Sequence, residues 1–229
     1  MENKELKEMY EAIIKSNVLY GKTLVTVGDS ITYGADMDEE GFTEDKTRMT
    51  YGWQIANRNN MKFYNLGISG STMADVEGKN GFSKENGRYT QMPEQIDYLT
   101  IFFGWNDAAY GKLGTIDDTT NETYYGGFNV VLPYLIKKYP DTKICLIVPF
   151  GASAGHRQAV REVADKWGVA CFDMHKSGTP FHFTKESDVK VDKEIAEFRR
   201  AHYQAIGAHP NYKGHCLIGR MLEHFLRGI

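Results

Sequence analysis

Three side chains in this sequence have the types and settings that acyl transfer needs: Ser30, Asn106 and His209. Ser30 lies in Gly28-Asp29-Ser30-Ile31-Thr32, directly after the β-branched run Thr23-Leu24-Val25-Thr26-Val27. That places it on the turn leaving the carboxyl end of a strand, where open α/β sheets bind their ligands. A serine hydroxyl is a weak nucleophile until an adjacent base, usually histidine, takes its proton, and the tetrahedral intermediate needs donors aimed at its oxyanion. His209-Pro210-Asn211, before the last helix, offers the base. The turn amides of Ser30 and Gly70, with the side-chain amide of Asn106, offer the donors, and glycine at 70 lets backbone approach a substrate with no Cβ in the way. Taken singly, each has a plainer reading: Ser30 as a helix N-cap, His209 as a structural histidine, Asn106 as a turn cap, Gly70 as a left-handed turn.

These residues need elements that bring them to one edge. An amphipathic helix is expected over residues 3 to 15, with Leu6, Met9, Tyr10, Ile13 and Ile14 as a core-packing stripe. After the first strand comes a polar loop, roughly 33 to 50, expected at the rim of the site, then a helix from Tyr51 to about Asn60. Met61 to Leu66 reads as a second strand, ending in Gly67-Ile68-Ser69-Gly70-Ser71. A short helix is expected over Pro93 to Asp97. Tyr98 to Phe103 is a continuous apolar strand that stops at Gly104-Trp105-Asn106-Asp107. A helix from Thr123 to Tyr139, a strand from Lys143 to Val148, a helix from Gly155 to Trp167, a strand from Val169 to Phe172 and a helix from Asn211 to Arg227 complete the alternation. Five strands with helical crossovers imply a three-layer α/β/α sandwich around a parallel sheet. Its topology gathers the strand-end turns at one edge.

The 229 residues fit a single domain, 1–229, with residues 1–20 as an N-terminal helical extension. A net charge of -3 and 25% charged residues provide no basic excess for nucleic acid. Cys145, Cys171 and Cys216 are an odd count without metal-site spacing, so the chain reads as reduced. The N-terminus is charged and lacks a signal-peptide core, no run reaches membrane-spanning length, and a cytoplasmic location is expected. Neither metal nor cofactor is expected, since His156, His175 and His182 form no ligand spacing with acids. His215 is read as a solvated or capping residue, and Asp29 and Asp107 as braces of their turns.

Four blocks, Gly28-Asp29-Ser30-Ile31-Thr32, Asn65-Leu66-Gly67-Ile68-Ser69-Gly70, Gly104-Trp105-Asn106-Asp107 and His209-Pro210-Asn211, stand in the order and context of the SGNH hydrolases, the superfamily of GDSL esterases and lipases, which the chain resembles from about residue 23 onward. The resemblance implies a flavodoxin-like α/β fold, Ser30 as nucleophile, His209 as general base, and Ser30, Gly70 and Asn106 as oxyanion hole. One departure stands out. The family pattern resembles Asp-x-x-His-Pro, and this chain has Ile206-Gly207-Ala208-His209-Pro210, so the acid that would orient the imidazole is missing from its usual place. Two replacements are open: a Ser-His dyad with a backbone carbonyl near Ile206 or Gly207 at the imidazole, which is the preferred expectation, or a carboxylate among Glu186, Asp188, Asp192 and Glu194.

The expected activity is that of a serine esterase removing a short acyl group, acetyl above all, from a carbohydrate or other small polyol ester. Trp105 is the expected wall of the acyl pocket. Tyr124, Tyr125 and Phe128, with Phe181, His182 and Phe183, are either cleft-lining aromatics or core. A lysophospholipase, thioesterase or acyltransferase uses the same chemistry. A catalytically inactive glycan-binding domain is the alternative of another class.

Overall fold

A computed structural model describes residues 3–37, 46–176, 193–204 and 209–229. Its centre is a sheet of five parallel strands: β1 (Thr23–Gly28), β2 (Lys62–Gly67), β3 (Tyr98–Phe102), β4 (Lys143–Ile147) and β5 (Ala170–Phe172). The strand order is β2-β1-β3-β4-β5, and every pairing is parallel. The direction of winding reverses between β1 and β3, and a reversal of this kind opens a crevice at the carboxyl ends of the two strands. Ser30 follows β1 and Asn106 follows β3, so both border that crevice.

Period-two alternation assigns each strand residue to a face. Val25, Val27, Leu99, Ile101, Ile144 and Leu146 join one core cluster, with α5 (Tyr124–Lys138) and α6 (Ala154–Trp167) over it. Leu24, Tyr98, Phe102, Cys145 and Ile147 join the other, beneath α3 (Tyr51–Arg58) and α8 (Tyr212–Leu226). With both faces covered, β3 is buried along its whole length and β1 and β4 along all but their first residues, as the unbroken run over 98–103 predicts. The remaining helices are α1 (Asn3–Ser16), the single turn α2 (Ser30–Tyr33), α4 (Trp105–Tyr110) and α7 (Lys193–Tyr203).

Two expectations are corrected. Leu6, Met9 and Tyr10 of α1 do not pack in the core but stand 43%, 52% and 62% exposed; the chain first enters the core at Leu19. Pro93 to Asp97 forms no helix, and its last residue joins the sheet instead. Asp97 N–H donates to the Thr23 carbonyl, its own carbonyl accepts from Lys143 N–H, and its carboxylate accepts from Thr23 N–H. Helix and ladder compete for the same donors and acceptors, and here the ladder takes them.

Candidate active site

The first turn is built for close approach. A Cβ on Gly28 would lie 2.6 Å from the Phe102 carbonyl oxygen, so only glycine lets the chain leave β1 this near to β3. Asp29 then caps α2, accepting from Ile31 N–H at 2.9 Å, and Ser30 is the first helical residue. Asn65 Nδ2 donates to the Thr32 carbonyl at 2.8 Å, and Thr32 Oγ1 is hydrogen-bonded to the Tyr51 hydroxyl at 2.9 Å. The turn bearing Ser30 is thus pinned to β2 on one side and α3 on the other.

The turns after β2 and β3 are braced against the first. Gly28 carbonyl oxygen accepts from both Ile68 N–H and Ser71 Oγ at 3.1 Å. Asn106 Nδ2 donates to the Ser71 carbonyl at 2.9 Å, which orients its amide, and Asp107 accepts from Met73 N–H and Ala74 N–H at 3.0 Å each. Gly70 sits at φ +74, and a Cβ there would meet nothing within 4 Å, so its surroundings are open. Among the described residues, neither Ser30 N–H nor Gly70 N–H has a hydrogen-bond acceptor.

Asp29 and Asp107 are bracing residues, as expected, and both are buried. Loss of solvent pushes the Asp29 carboxyl up to about 7, against the pull of the Ile31 N–H, and Asp107 nearby raises it further. Burial likewise pushes Asp107 up to about 6, opposed by the two amides it holds.

His209 arrives from the last connection and meets Ser30: Nε2 is 2.8 Å from Ser30 Oγ. Its other nitrogen, Nδ1, is hydrogen-bonded to Asp36 Oδ2. A carboxylate only accepts, so Nδ1–H is the donor of that pair, and the neutral imidazole in this tautomer presents its Nε2 lone pair to the serine hydroxyl. The expected backbone carbonyl at Nδ1 is therefore replaced by a carboxylate, and by none of the four acids considered from the sequence. Glu194 is exposed on α7, while Glu186, Asp188, Asp192, Ile206 and Gly207 lie outside the described residues. Asp36 belongs to the polar loop expected at the rim. Its signal in the sequence was spacing: an acid six residues after the serine, just past Gly34, which ends α2 in a left-handed conformation.

Other candidates fall in different places. Trp105 is partly buried against the cluster around Phe102 and Phe150, and its Nε1 has no partner among the described residues. Tyr124, Tyr125 and Phe128 belong to the core and are 0%, 7% and 1% exposed, so they line no cleft. Phe181, His182 and Phe183 lie outside the described residues. His215 is not solvated: it is fully buried, stacked on Tyr51, and its Nδ1 accepts Tyr51 N–H at 3.2 Å, capping α3 from α8. Burial pushes its imidazole down to about 3, with His209 adding to the effect. No group of three or more His, Cys, Asp or Glu suited to a metal occurs among the described residues.

A doubly wound parallel sheet that brings a serine, a histidine and free turn amides together at its switch point defines an α/β protein of enzyme-like architecture, and comparison makes the class specific. The profile of the GDSL-like Lipase/Acylhydrolase family matches residues 26–217, and the chain belongs to that family. Solved structures of similar fold include a protein from Lactobacillus plantarum (24% identity, 91% of this chain and 98% of that one, TM-score 0.71). Another, from Bacteroides ovatus, is described as a GDSL-like lipase (19%, 91% and 99%, 0.63). A third is a carbohydrate esterase family 2 enzyme with a carbohydrate-binding domain from Corynascus thermopiles (16%, 90% and 66%, 0.59). At these identities the likeness is one of fold. Among curated proteins, none matches the chain. Family and fold together make the protein an esterase-type hydrolase.

Proposed function

We propose that the protein hydrolyses a short-chain acyl ester, acetyl above all, carried on a carbohydrate or related polyol, with Ser30 as nucleophile and His209 as general base. The observation that carries this reading is the 2.8 Å contact between Ser30 Oγ and His209 Nε2 at the switch point of the sheet. Ser30 Oγ attacks the ester carbonyl while its proton passes to Nε2, and the amides of Ser30 and Gly70 with Asn106 Nδ2 stabilise the oxyanion. Collapse breaks the bond to the alcohol oxygen, which takes the proton from Nε2 and leaves acyl-Ser30. Water then attacks the acyl carbon as Nε2 accepts its proton. The second collapse returns that proton to Ser30 Oγ and releases the acid.

The short acyl group rests on Trp105, next to the oxyanion donor Asn106, as a wall of the acyl side. The sugar reading is supported by an exposed aromatic ring, that of Tyr33, which ends the turn that begins with Ser30. Similarity in fold to a carbohydrate esterase agrees with it. Ser30→Ala is expected to abolish p-nitrophenyl acetate hydrolysis while the circular dichroism melt stays unchanged, and a fluorophosphonate should label the wild type stoichiometrically. Full activity in Ser30→Ala removes Ser30 from the mechanism; absence of both labelling and turnover favours an inactive glycan-binding domain.

A further inference from the structure

We propose that Asp36 is the positioning carboxylate of this site, supplied by the segment just after the nucleophile rather than by the position three residues before the histidine. The proposal rests on the esterase reading of Ser30 and His209. Its basis is a continuous line of contacts from Asp36 Oδ2 to His209 Nδ1, and from His209 Nε2 to Ser30 Oγ. Ile206, in the position where the family pattern has its acid, has no side-chain atom that can accept a hydrogen bond from the imidazole.

The local backbone explains how Asp36 reaches back. Gly34 N–H and Ala35 N–H both donate to the Ser30 carbonyl at 3.0 Å, closing the turn of α2 on itself. Gly34 at φ 91 and Asp36 at φ 62 then reverse the chain, so that a residue six positions downstream faces the imidazole beside the serine. A left-handed backbone is unfavourable for a residue with a Cβ, and Asp and Asn bear it best. Stability does not account for the arrangement. The Asp36 side chain is 37% exposed and that of His209 25%, and ion pairs this open to water add little to folding. What the contact does accomplish is chemical: it fixes the Nδ1–H tautomer, aims Nε2 at Ser30 Oγ, and stabilises the imidazolium formed during attack.

The test uses Asp36→Asn and Asp36→Gly, both of which tolerate φ 62, so that loss of the carboxylate is separated from backbone strain. For p-nitrophenyl acetate, kcat is expected to fall by on the order of 10^3- to 10^4-fold with KM nearly unchanged, because Asp36 touches the base and not the substrate. Proton NMR supplies a readout that a structural role would not move. A low-field Nδ1–H resonance of His209 is expected in the wild type and in Ser30→Ala, and is expected to vanish in Asp36→Gly. If Ser30→Ala is inactive but both Asp36 variants stay within about tenfold of wild type, the assignment of Asp36 is overturned and the esterase stands. Absence of the low-field resonance from both the wild type and Ser30→Ala also overturns it, without reliance on any Asp36 variant. An active Ser30→Ala instead overturns the esterase reading itself.

Discussion

At the scale of single residues, the site combines open turn amides with buried carboxyls whose ionisation burial pushes toward neutrality. Asp29 is the clearest of the second kind. Its carboxyl ordinarily ionises near 3.8 but is pushed up to about 7 when folded, so between these values the folded chain keeps a proton that the unfolded chain has released. Stability at this group is therefore greatest below 3.8, falls as the pH rises to about 7, and is level beyond it. Asp29→Asn keeps an oxygen to cap Ile31 N–H and removes the titration. The urea midpoint of that variant is expected to decline less steeply than that of the wild type between pH 4 and pH 7, and an equal slope in both proteins would count against a protonated Asp29. Trp105 invites a different measurement. If it walls the acyl side, Trp105→Ala raises kcat/KM for butyrate and hexanoate esters relative to acetate, whereas an unchanged preference excludes it from the pocket.

At the scale of elements, the strand-end turns behave as one braced unit, and Asp107 is the brace that joins α4 to the loop after β2. Its two oxygens each take one backbone N–H, from Met73 and Ala74. Asn can accept only one of them and turns its own NH2 toward the other, so Asp107→Asn leaves a buried donor unsatisfied. A loss of about 1–3 kcal/mol in chemical denaturation is expected, with a lower kcat as Gly70 shifts. The same variant with wild-type stability would show the strap to be dispensable. Much of this layer was legible from the sequence. Thr23 to Val27 and Tyr98 to Phe103 announced buried strands by composition, and the glycine that ends each run announced the turn that follows. The short helix expected over Pro93 to Asp97 does not form, and local composition does not reveal that Asp97 bonds to strands on both sides. Asp36, whose one signal is its spacing from Ser30, is hard to read for a related reason. The usual place for the acid is defined by spacing from the histidine, whereas this one is brought to Nδ1 by two left-handed residues in a polar loop, and left-handed backbone at an aspartate leaves little mark on composition. The burial of Tyr124, Tyr125 and Phe128 reflects helix α5 facing the sheet, which an aromatic cluster does not by itself distinguish from a cleft.

At the scale of the molecule, the two core clusters hold the sheet from both faces while α1 stands apart. Asn17, Leu19 and Asn59 mark where the chain joins the body: Leu19 is fully buried, Asn17 Nδ2 donates to Asn59 Oδ1, and Arg227 donates to both asparagines. Deleting residues 1–15 is therefore expected to leave the melting temperature within a few degrees and kcat unchanged, and a large drop in either would assign α1 a part in the fold that its exposure does not suggest. Helix α8 is the opposite case. It ties to α3 through Arg58 and Glu223 and through His215 and Tyr51, and it follows directly on the connection that carries His209. With Asp36 only six residues from Ser30, two members of the site are neighbours along the chain, and the imidazole alone must be delivered from the far end, 179 residues away from the serine it contacts. In refolding, Ser30 and Asp36 are close along the chain before any long-range contact forms, and on the proposed esterase reading the recovery of activity becomes a clock for the docking of His209: it should lag the return of helical signal by the time α8 takes to seat.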